Sequence, residues 1–404
     1  MADLLRSAGL EPALHARDSG RPNLIARLRG RGESPPLLLY GHVDVVPADG
    51  NEWTHPPFSG ALVDGEVWGR GALDMKGGVA MFVAAVLRAA QERLEPSGDV
   101  ILALLSDEEA GSEAGAAFLV QQRSGLFDEV RFALGEFGAF RHWAAGRTLY
   151  PIQVAEKQRC VVRATTRGNG GHAATVVHDT AAEKAARLLT VLARRRLPVH
   201  ITPPARLMIE AMASALPRAQ RMALRLLLVP RLTDRVLNVV GREGDSLDPL
   251  LHNTATPTVI RGGGSTNVVP TDVEVDLDGR TLPGQGPRDL VRELRHLAGE
   301  LADLEIVREE PAPRVDPDLT LFPLLADVLR ERDPDGTPIP ALLPGYTDAR
   351  YFAQLGIQTY GFLPMPLPKH ITTALIHAPD ERVPAEAIEF GADAVYEVIR
   401  RYRV

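Results

Sequence analysis

The first 160 residues repeat one arrangement, in which a short apolar run ends and polar residues able to do chemistry follow at once. Leu37 to Tyr40 runs into Gly41-His42-Val43-Asp44, Val100 to Leu105 into Ser106-Asp107-Glu108-Glu109, and Val130 to Leu134 into Gly135-Glu136. Short apolar runs bounded by Gly and polar clusters predict buried strands. Between the first two runs, the Ala-rich stretch from Gly77 to Arg93 predicts a helix. Strands alternating with helices predict an α/β sheet, and such sheets place ligands beyond the carboxyl ends of their strands.

From about Gln158 the pattern changes. Cys160 to Thr166 alternates like a strand and Thr180 to Arg194 reads as a helix. Strands near Thr256 to Arg261 and Asp272 to Arg280 then precede a helix around Arg288 to Leu301 and a strand from Leu304 to Arg308. This β-α-β-β-α-β order predicts a split-βαβ, ferredoxin-like α+β sandwich, interrupted from Val199 to Leu251. The interruption carries Arg218, Arg221 and Arg225 on one helical face with Leu and Met opposite. Such a helix can pack on the small domain with its charges in water or lie on a membrane surface, and the packed helix is the favoured reading. From Arg314 the α/β texture returns and ends in a helix, Pro384 to Tyr402. The expectation is a discontinuous larger domain, residues 1–157 and 313–404, into which residues 158–312 are inserted.

Lys plus Arg 45 against Asp plus Glu 52 leaves a net charge of −7, with no block of five like charges, so a polybasic nucleic-acid footprint is excluded. Hydrophobic content of 45% and charged content of 24% argue against disorder. The longest strictly apolar run, Val79 to Leu87, falls short of the ~20 residues that a membrane span needs. No basic stretch leads into an apolar run at Met1-Ala2-Asp3, and Cys160 stands alone, so no internal disulfide can form. Together these predict a cytoplasmic protein.

The chemistry concentrates in His42, Asp44, Asp74, Glu108, Glu109, Glu136 and His377, most of them at predicted strand ends. Asp107, Glu108, Glu109 and Glu113 crowd four acids into seven residues. Like charges so close repel unless a cation is present. Mixed His and carboxylate donors suit zinc or a similar first-row ion. The set is too large for one tetrahedral site with an open position and fits two metals sharing one carboxylate.

Longer motifs surround these residues. Gly41-His42-Val43-Asp44-Val45-Val46-Pro47, Trp68-Gly69-Arg70-Gly71-Ala72-Leu73-Asp74-Met75-Lys76-Gly77 and Asp107-Glu108-Glu109 come first. Gly170-Gly171-His172, Ser265-Thr266-Asn267-Val268-Val269-Pro270, Thr347-Asp348-Ala349-Arg350 and His377-Ala378-Pro379-Asp380-Glu381 follow. In this order they resemble the co-catalytic zinc family of aminoacylases, acetylornithine deacetylase, succinyl-diaminopimelate desuccinylase and glutamate carboxypeptidase, over nearly the whole chain. The central insertion and Trp53-Thr54-His55-Pro56-Pro57-Phe58 look most like the branch of carboxypeptidase S and N-fatty-acyl-amino-acid hydrolases.

The resemblance implies a zinc-peptidase-like catalytic domain, a mixed sheet with helices on both faces, and an inserted lid and dimerisation domain. It implies two divalent ions, zinc first, with cobalt or manganese as alternatives. His42 and Glu136 would hold one, His377 and Glu109 the other, and Asp74 would bridge them. Glu108 would be the general base, and Asp44 would orient His42. His172 would reach a neighbouring subunit's site in a homodimer, while Asn267, Arg280 and Arg350 would bind substrate, an arginine fork suiting a free carboxylate. The implied substrate is a small N-acyl amino acid or short peptide, with no nucleic acid and no membrane span; the implied activity is that of an N-acyl-amino-acid amidohydrolase, carboxypeptidase or dipeptidase. The competing class is an inactive relative that binds ligands or acts as a scaffold, which the loss of Glu108 or a metal ligand would favour.

Three features depart from the family pattern. Only 41 residues precede His42, no proline follows His172 in Ala173-Ala174-Thr175-Val176-Val177, and Gly279 interrupts Asp278-Gly279-Arg280, where it is expected to loosen the strand. The Gly262-Gly263-Gly264-Ser265-Thr266 run lacks the Gly-Lys-Ser/Thr ending of a phosphate loop. No Gly-x-Ser-x-Gly elbow supports a serine hydrolase.

Overall fold

A computed structural model describes residues 1–144 and 146–404. Its largest sheet orders the strands Ala13–His15, Asn23–Leu28, Val100–Leu105, Leu37–His42, Phe132–Gly135, Gln358–Gly361, Arg147–Glu156 and Gly336–Leu343, with His142–Ala144 hairpinned onto Arg147–Glu156. Leu37–His42 runs parallel to both Val100–Leu105 and Phe132–Gly135, so three carboxyl ends open on the same edge. The sheet is mixed, because Asn23–Leu28 and Arg147–Glu156 pair antiparallel with their neighbours Val100–Leu105 and Gln358–Gly361.

Alternation along the central strands sorts side chains into two cores, as the pleat requires. Leu37, Leu39, Leu102 and Leu104 pack with Met81, Phe82, Leu329 and Val395 from helices Lys76–Gln91, Phe322–Arg332 and Ala385–Arg401. Leu38, Tyr40, Ile101 and Leu105 point the other way, onto Phe118, Leu119 and Phe352. Each fully buried Leu or Phe contributes roughly 1.5–3 kcal/mol, so the strands that carry the site are anchored from both faces. The edge strand Gly336–Leu343 includes Pro338 and Pro340, which an edge tolerates because a proline nitrogen has no ladder bond to donate.

A second sheet holds Thr254–Gly262, Asp272–Thr281, Gln158–Arg167 and Asp303–Glu309 in that order, all antiparallel, with helices Ala181–Arg194 and Pro287–Ala298 packed on it. This is the ferredoxin-like arrangement expected from the element order. Thr180 caps the first of these helices and Glu183 answers it reciprocally. Gly279 does not loosen its strand. A Cβ there would stand 2.6 Å from Leu290 and 2.7 Å from Cys160, so the glycine lets a helix and a neighbouring strand close on the backbone. Between Val199 and Leu251 lie three helices, Pro203–Ala215, Arg218–Leu226 and Pro230–Val240. No helix among the described residues is long and apolar enough to cross a membrane.

Candidate metal centre

His42 ends the central strand Leu37–His42, and its ring is almost wholly buried. Its neighbour Gly41 has no room for a side chain, since a Cβ would lie 2.4 Å from the Met75 methyl. Asp74 precedes helix Lys76–Gln91, Glu108 and Glu109 follow strand Val100–Leu105, and Glu136 follows Phe132–Gly135. His377 arrives from the distant loop between Thr373–Leu375 and Arg382–Pro384. Asp107 and His377 hold left-handed backbone, φ 73° and 63°, a conformation that costs energy in non-glycine residues and clusters at working sites.

Asp74 stands between the two histidines. Its Oδ1 lies 3.1 Å from His42 Nε2 and its Oδ2 lies 3.4 Å from His377 Nε2. Glu136 Oε2 is 3.3 Å from the same His42 nitrogen, and Glu109 Oε1 is 3.1 Å from the same His377 nitrogen. Two triads therefore share Asp74: His42, Asp74 and Glu136 on one side, Asp74, Glu109 and His377 on the other. The carbonyl of Asp44 accepts His42 Nδ1–H at 3.0 Å, which orients the ring so that Nε2 faces the carboxylates.

The histidines and carboxylates of the two triads strongly perturb one another. Burial disfavours protonated His42, yet hydrogen bonds to Asp74 and Glu136 overcome it and hold the imidazole well above its usual range. Asp74 raises His377 to about 9. Burial would raise Asp74, but its two histidine partners pull it well below the carboxylate range. Burial, then the charges of Glu136 and Asp348, push Glu108 well up, and burial followed by Asp74 raises Glu109. A donor set of this kind, two imidazoles and three carboxylates around one shared aspartate, fits divalent metal ions.

A supporting shell carries no obvious signal in the sequence beyond membership of the quoted motifs. Glu381, fully buried, accepts the backbone N–H groups of Leu73 and Asp74 at 2.8 and 3.0 Å with one oxygen. Its other oxygen takes Arg70 Nη1 at 2.7 Å and the Gly71 N–H at 3.0 Å, which pins the loop that carries the bridging aspartate. Asp348 accepts Ser112 Oγ–H at 2.5 Å, and its own N–H donates to Glu136 Oε1 at 3.3 Å.

The remaining candidates lie elsewhere. His172 and Asn267 come together in a small exposed ribbon, where His172 pairs with Val268 and the Asn267 carbonyl accepts the Ala173 N–H at 3.0 Å. Neither belongs to the triads. Arg280 pairs with Asp278 at 2.5 Å and stacks 4.5 Å from the centre of the Tyr346 ring. Arg350, expected to form a substrate-binding fork, is only 1% exposed. Its guanidinium lies 4.5 Å from the rings of both Tyr346 and Tyr351, donates to Thr347 O and Ser112 Oγ, and sits 4.0 Å from Glu108 Oε1. Its Nε is buried without a hydrogen-bond partner, 3.7 Å from Glu310 Oε2.

Residues 38–401 match the model of peptidase family M20/M25/M40. The chain belongs to this family. It is 29% identical to the succinyl-diaminopimelate desuccinylase of Paracoccus denitrificans (strain Pd 1222) over 100% of its own length and 92% of that protein's. It is 25% identical to the probable carboxypeptidase S-like 2 of Dictyostelium discoideum, over 94% and 74% of the two chains. Its fold matches the M20 family metallo-carboxypeptidase Sso-CP2 from Sulfolobus solfataricus with a TM-score of 0.65 at 18% identity, covering 98% of this chain and 91% of that one. The family and its relatives make the chain one of a group of hydrolases, peptidases and amidohydrolases, and the two triads that share Asp74, with a third group of His42, Glu108 and Glu109, are its candidate metal-binding groups.

Proposed function

We propose that the chain hydrolyses an amide or peptide bond whose amine half carries a free carboxylate, with N-acyl amino acids and short peptides as the substrate class. The observation that carries this reading is Asp74, whose two oxygens each face a different histidine while Glu108 stands beside the pair, with 13% of its side chain exposed. His42, Asp74 and Glu136 would hold one divalent ion and Asp74, Glu109 and His377 a second, zinc being the first choice for such donors. When bound, such ions acidify water and polarise a carbonyl oxygen.

Glu108 is the proton carrier. This carboxylate, its pKa raised by burial, takes a proton from the attacking water and returns it through the same oxygens to the leaving amine nitrogen, a relay worth about 10²–10⁴-fold. It is not a member of the triads that share Asp74, and Arg350, 4.0 Å away, offsets its charge. Residues 158–312 would act as a lid over the larger sheet, with Asn267 and Arg280 bringing donors to the substrate carboxylate and His172 serving the site of a second subunit.

The test is a panel of N-acyl amino acids and dipeptides, assayed with zinc, cobalt or manganese alongside the corresponding methyl esters. Metal-dependent cleavage that favours the free acids is expected. Equal rates on acid and ester would remove the carboxylate requirement, and no cleavage with any metal would remove the reading altogether.

A further inference from the structure

The helix Arg218–Leu226 does not present the face that its composition suggests. Arg221 turns inward and donates to the carbonyls of Ala213, Ser214 and Leu216 at 3.2–3.3 Å, tying this helix to the end of Pro203–Ala215. Leu224 and Leu227 pack into the cluster around Ile209, Leu237 and Leu251. What faces outward is Arg218, Met222, Arg225 and Leu226, spaced i, i+4, i+7 and i+8 and therefore on one side of the helix. Met222 is 61% exposed, Leu226 36%, and Val229 in the following turn 43%. Thr233 Oγ1 holds that turn by donating to Leu227 O and Val229 O, so the apolar side chains stand on a fixed frame.

Charge at this surface runs against that of the protein as a whole. The chain carries −7, yet from Ala211 to Thr233 there are four arginines and no acid. The flanking acids are engaged, Glu210 with Arg206 at 3.6 Å and Asp234 with His252 at 3.1 Å. Arg231, one of these four, lies with Arg235 on the adjoining helix Pro230–Val240, both exposed, and Val239 near its end is 87% exposed. Large apolar side chains in water, interleaved with unneutralised arginines, match an anionic lipid interface. There the apolar groups enter the acyl boundary and the guanidinium groups rest on phosphates. Arginine stems are long enough to do both at once.

We propose that the face formed by Arg218, Met222, Arg225, Leu226 and Val229 docks the enzyme reversibly on an anionic bilayer, with the helical insertion as its footprint. The contact is peripheral, since the helix is short and its other side is committed to protein.

Co-sedimentation of the full metal-loaded chain with vesicles tests this, using phosphatidylcholine alone against a mixture with phosphatidylglycerol. Binding to the anionic vesicles only, weakened by salt, is expected. The double variant Arg218→Glu/Arg225→Glu should abolish it, and Met222→Ser/Leu226→Ser should weaken it on the order of tenfold, while both keep wild-type turnover of a small substrate in vesicle-free solution. These side chains are exposed, and the unchanged turnover verifies that each variant is folded. Should either variant lose turnover, the single changes Arg225→Glu and Met222→Ser carry the same comparison. No binding to anionic vesicles, or binding that neither pair of changes affects, would overturn the proposal. Light scattering that shows the apolar variant converting a dimer to a monomer would also overturn it, because a second copy would then cover the face.

Discussion

Asp44 accepts the backbone N–H of Glu108 at 3.1 Å with one carboxylate oxygen, and the N–H of Glu109 at 3.1 Å with the other. Its own carbonyl takes the ring N–H of His42. One residue thus fixes the orientation of a histidine donor and the position of the loop that carries both glutamates. Asp44→Ala should leave the fold intact, because the side chain is partly exposed and outside both cores, while activity or metal affinity falls about 10–100-fold. Circular dichroism with metal titration and turnover would show it. Activity within twofold of wild type would mean that the loop holds itself.

Neighbouring glutamates divide the work at this loop. Glu109 Oε1 faces His377 Nε2 at 3.1 Å, whereas Glu108 sits 4.0 Å from Arg350 and joins only the group of His42 and Glu109, not either triad that shares Asp74. Glu108→Gln keeps the shape and removes the proton acceptor, so about two metal equivalents should remain while turnover falls roughly 10²-fold or more. Glu109→Gln should instead lose one equivalent after dialysis. Elemental analysis and kcat on the same preparations separate the two, and equal metal loss in both would sink the division.

Much of this site was legible because strands announce it. The run from Leu37 to Tyr40 predicts a buried strand, and the histidine at its end can only emerge at the carboxyl edge, where the glutamates of the parallel neighbours also emerge. The supporting shell was not legible as such. Glu381 and Asp348 are two of 52 acids, and nothing local distinguishes a carboxylate that holds a loop from one in water. Only the fold brings Glu381 to a loop some 310 residues away in sequence. The burial of Arg350 was not legible either. A guanidinium after Thr347-Asp348 suits a substrate carboxylate on chemistry alone, and its enclosure by two tyrosines is a tertiary fact. The helix Arg218–Leu226 likewise looks simply amphipathic until Arg221 is seen turning inward.

That enclosure predicts a kinetic signature. Arg350→Lys keeps the charge but loses the planar fork that bonds Thr347 and Ser112 and stacks on the rings. If the guanidinium steadies Glu108, kcat should drop on the order of tenfold with KM nearly unchanged. A rise in KM at constant kcat would return Arg350 to the substrate carboxylate.

Glu156 gives a pH dependence of known sign. Burial raises its carboxyl to about 8 from an ordinary 4.5, despite the Thr347 hydrogen bond and the charge of Arg350. The folded chain therefore keeps a proton that the unfolded chain releases. Stability from this group is full below about 4.5 and is lost as pH climbs through about 8. Glutamine copies the neutral form and can still accept from Thr347 Oγ1. Relative to wild type, Glu156→Gln should gain in Tm between about pH 5 and about pH 9. A constant difference across that range would show that the carboxyl does not titrate there.

His172 makes the sharpest prediction about assembly. Its ring accepts the Ala174 N–H at 3.1 Å in an exposed ribbon and touches neither triad, so within one chain it has no catalytic partner. A donor aimed at charge developing on a carbonyl oxygen can be worth about 3 kcal/mol, which only a second subunit could receive from this position. The outer strand Thr254–Gly262 ends the order of the small sheet and exposes Val259 and Ile260, an edge suited to two-fold pairing. His172→Ala and Glu108→Gln should each be inactive alone. When their subunits are exchanged, a mixed dimer contains one site with an intact base and an intact donated histidine, so part of the activity should return. Confirmed exchange without recovery would leave His172 as a surface residue and the dimer, if it forms, without a shared site.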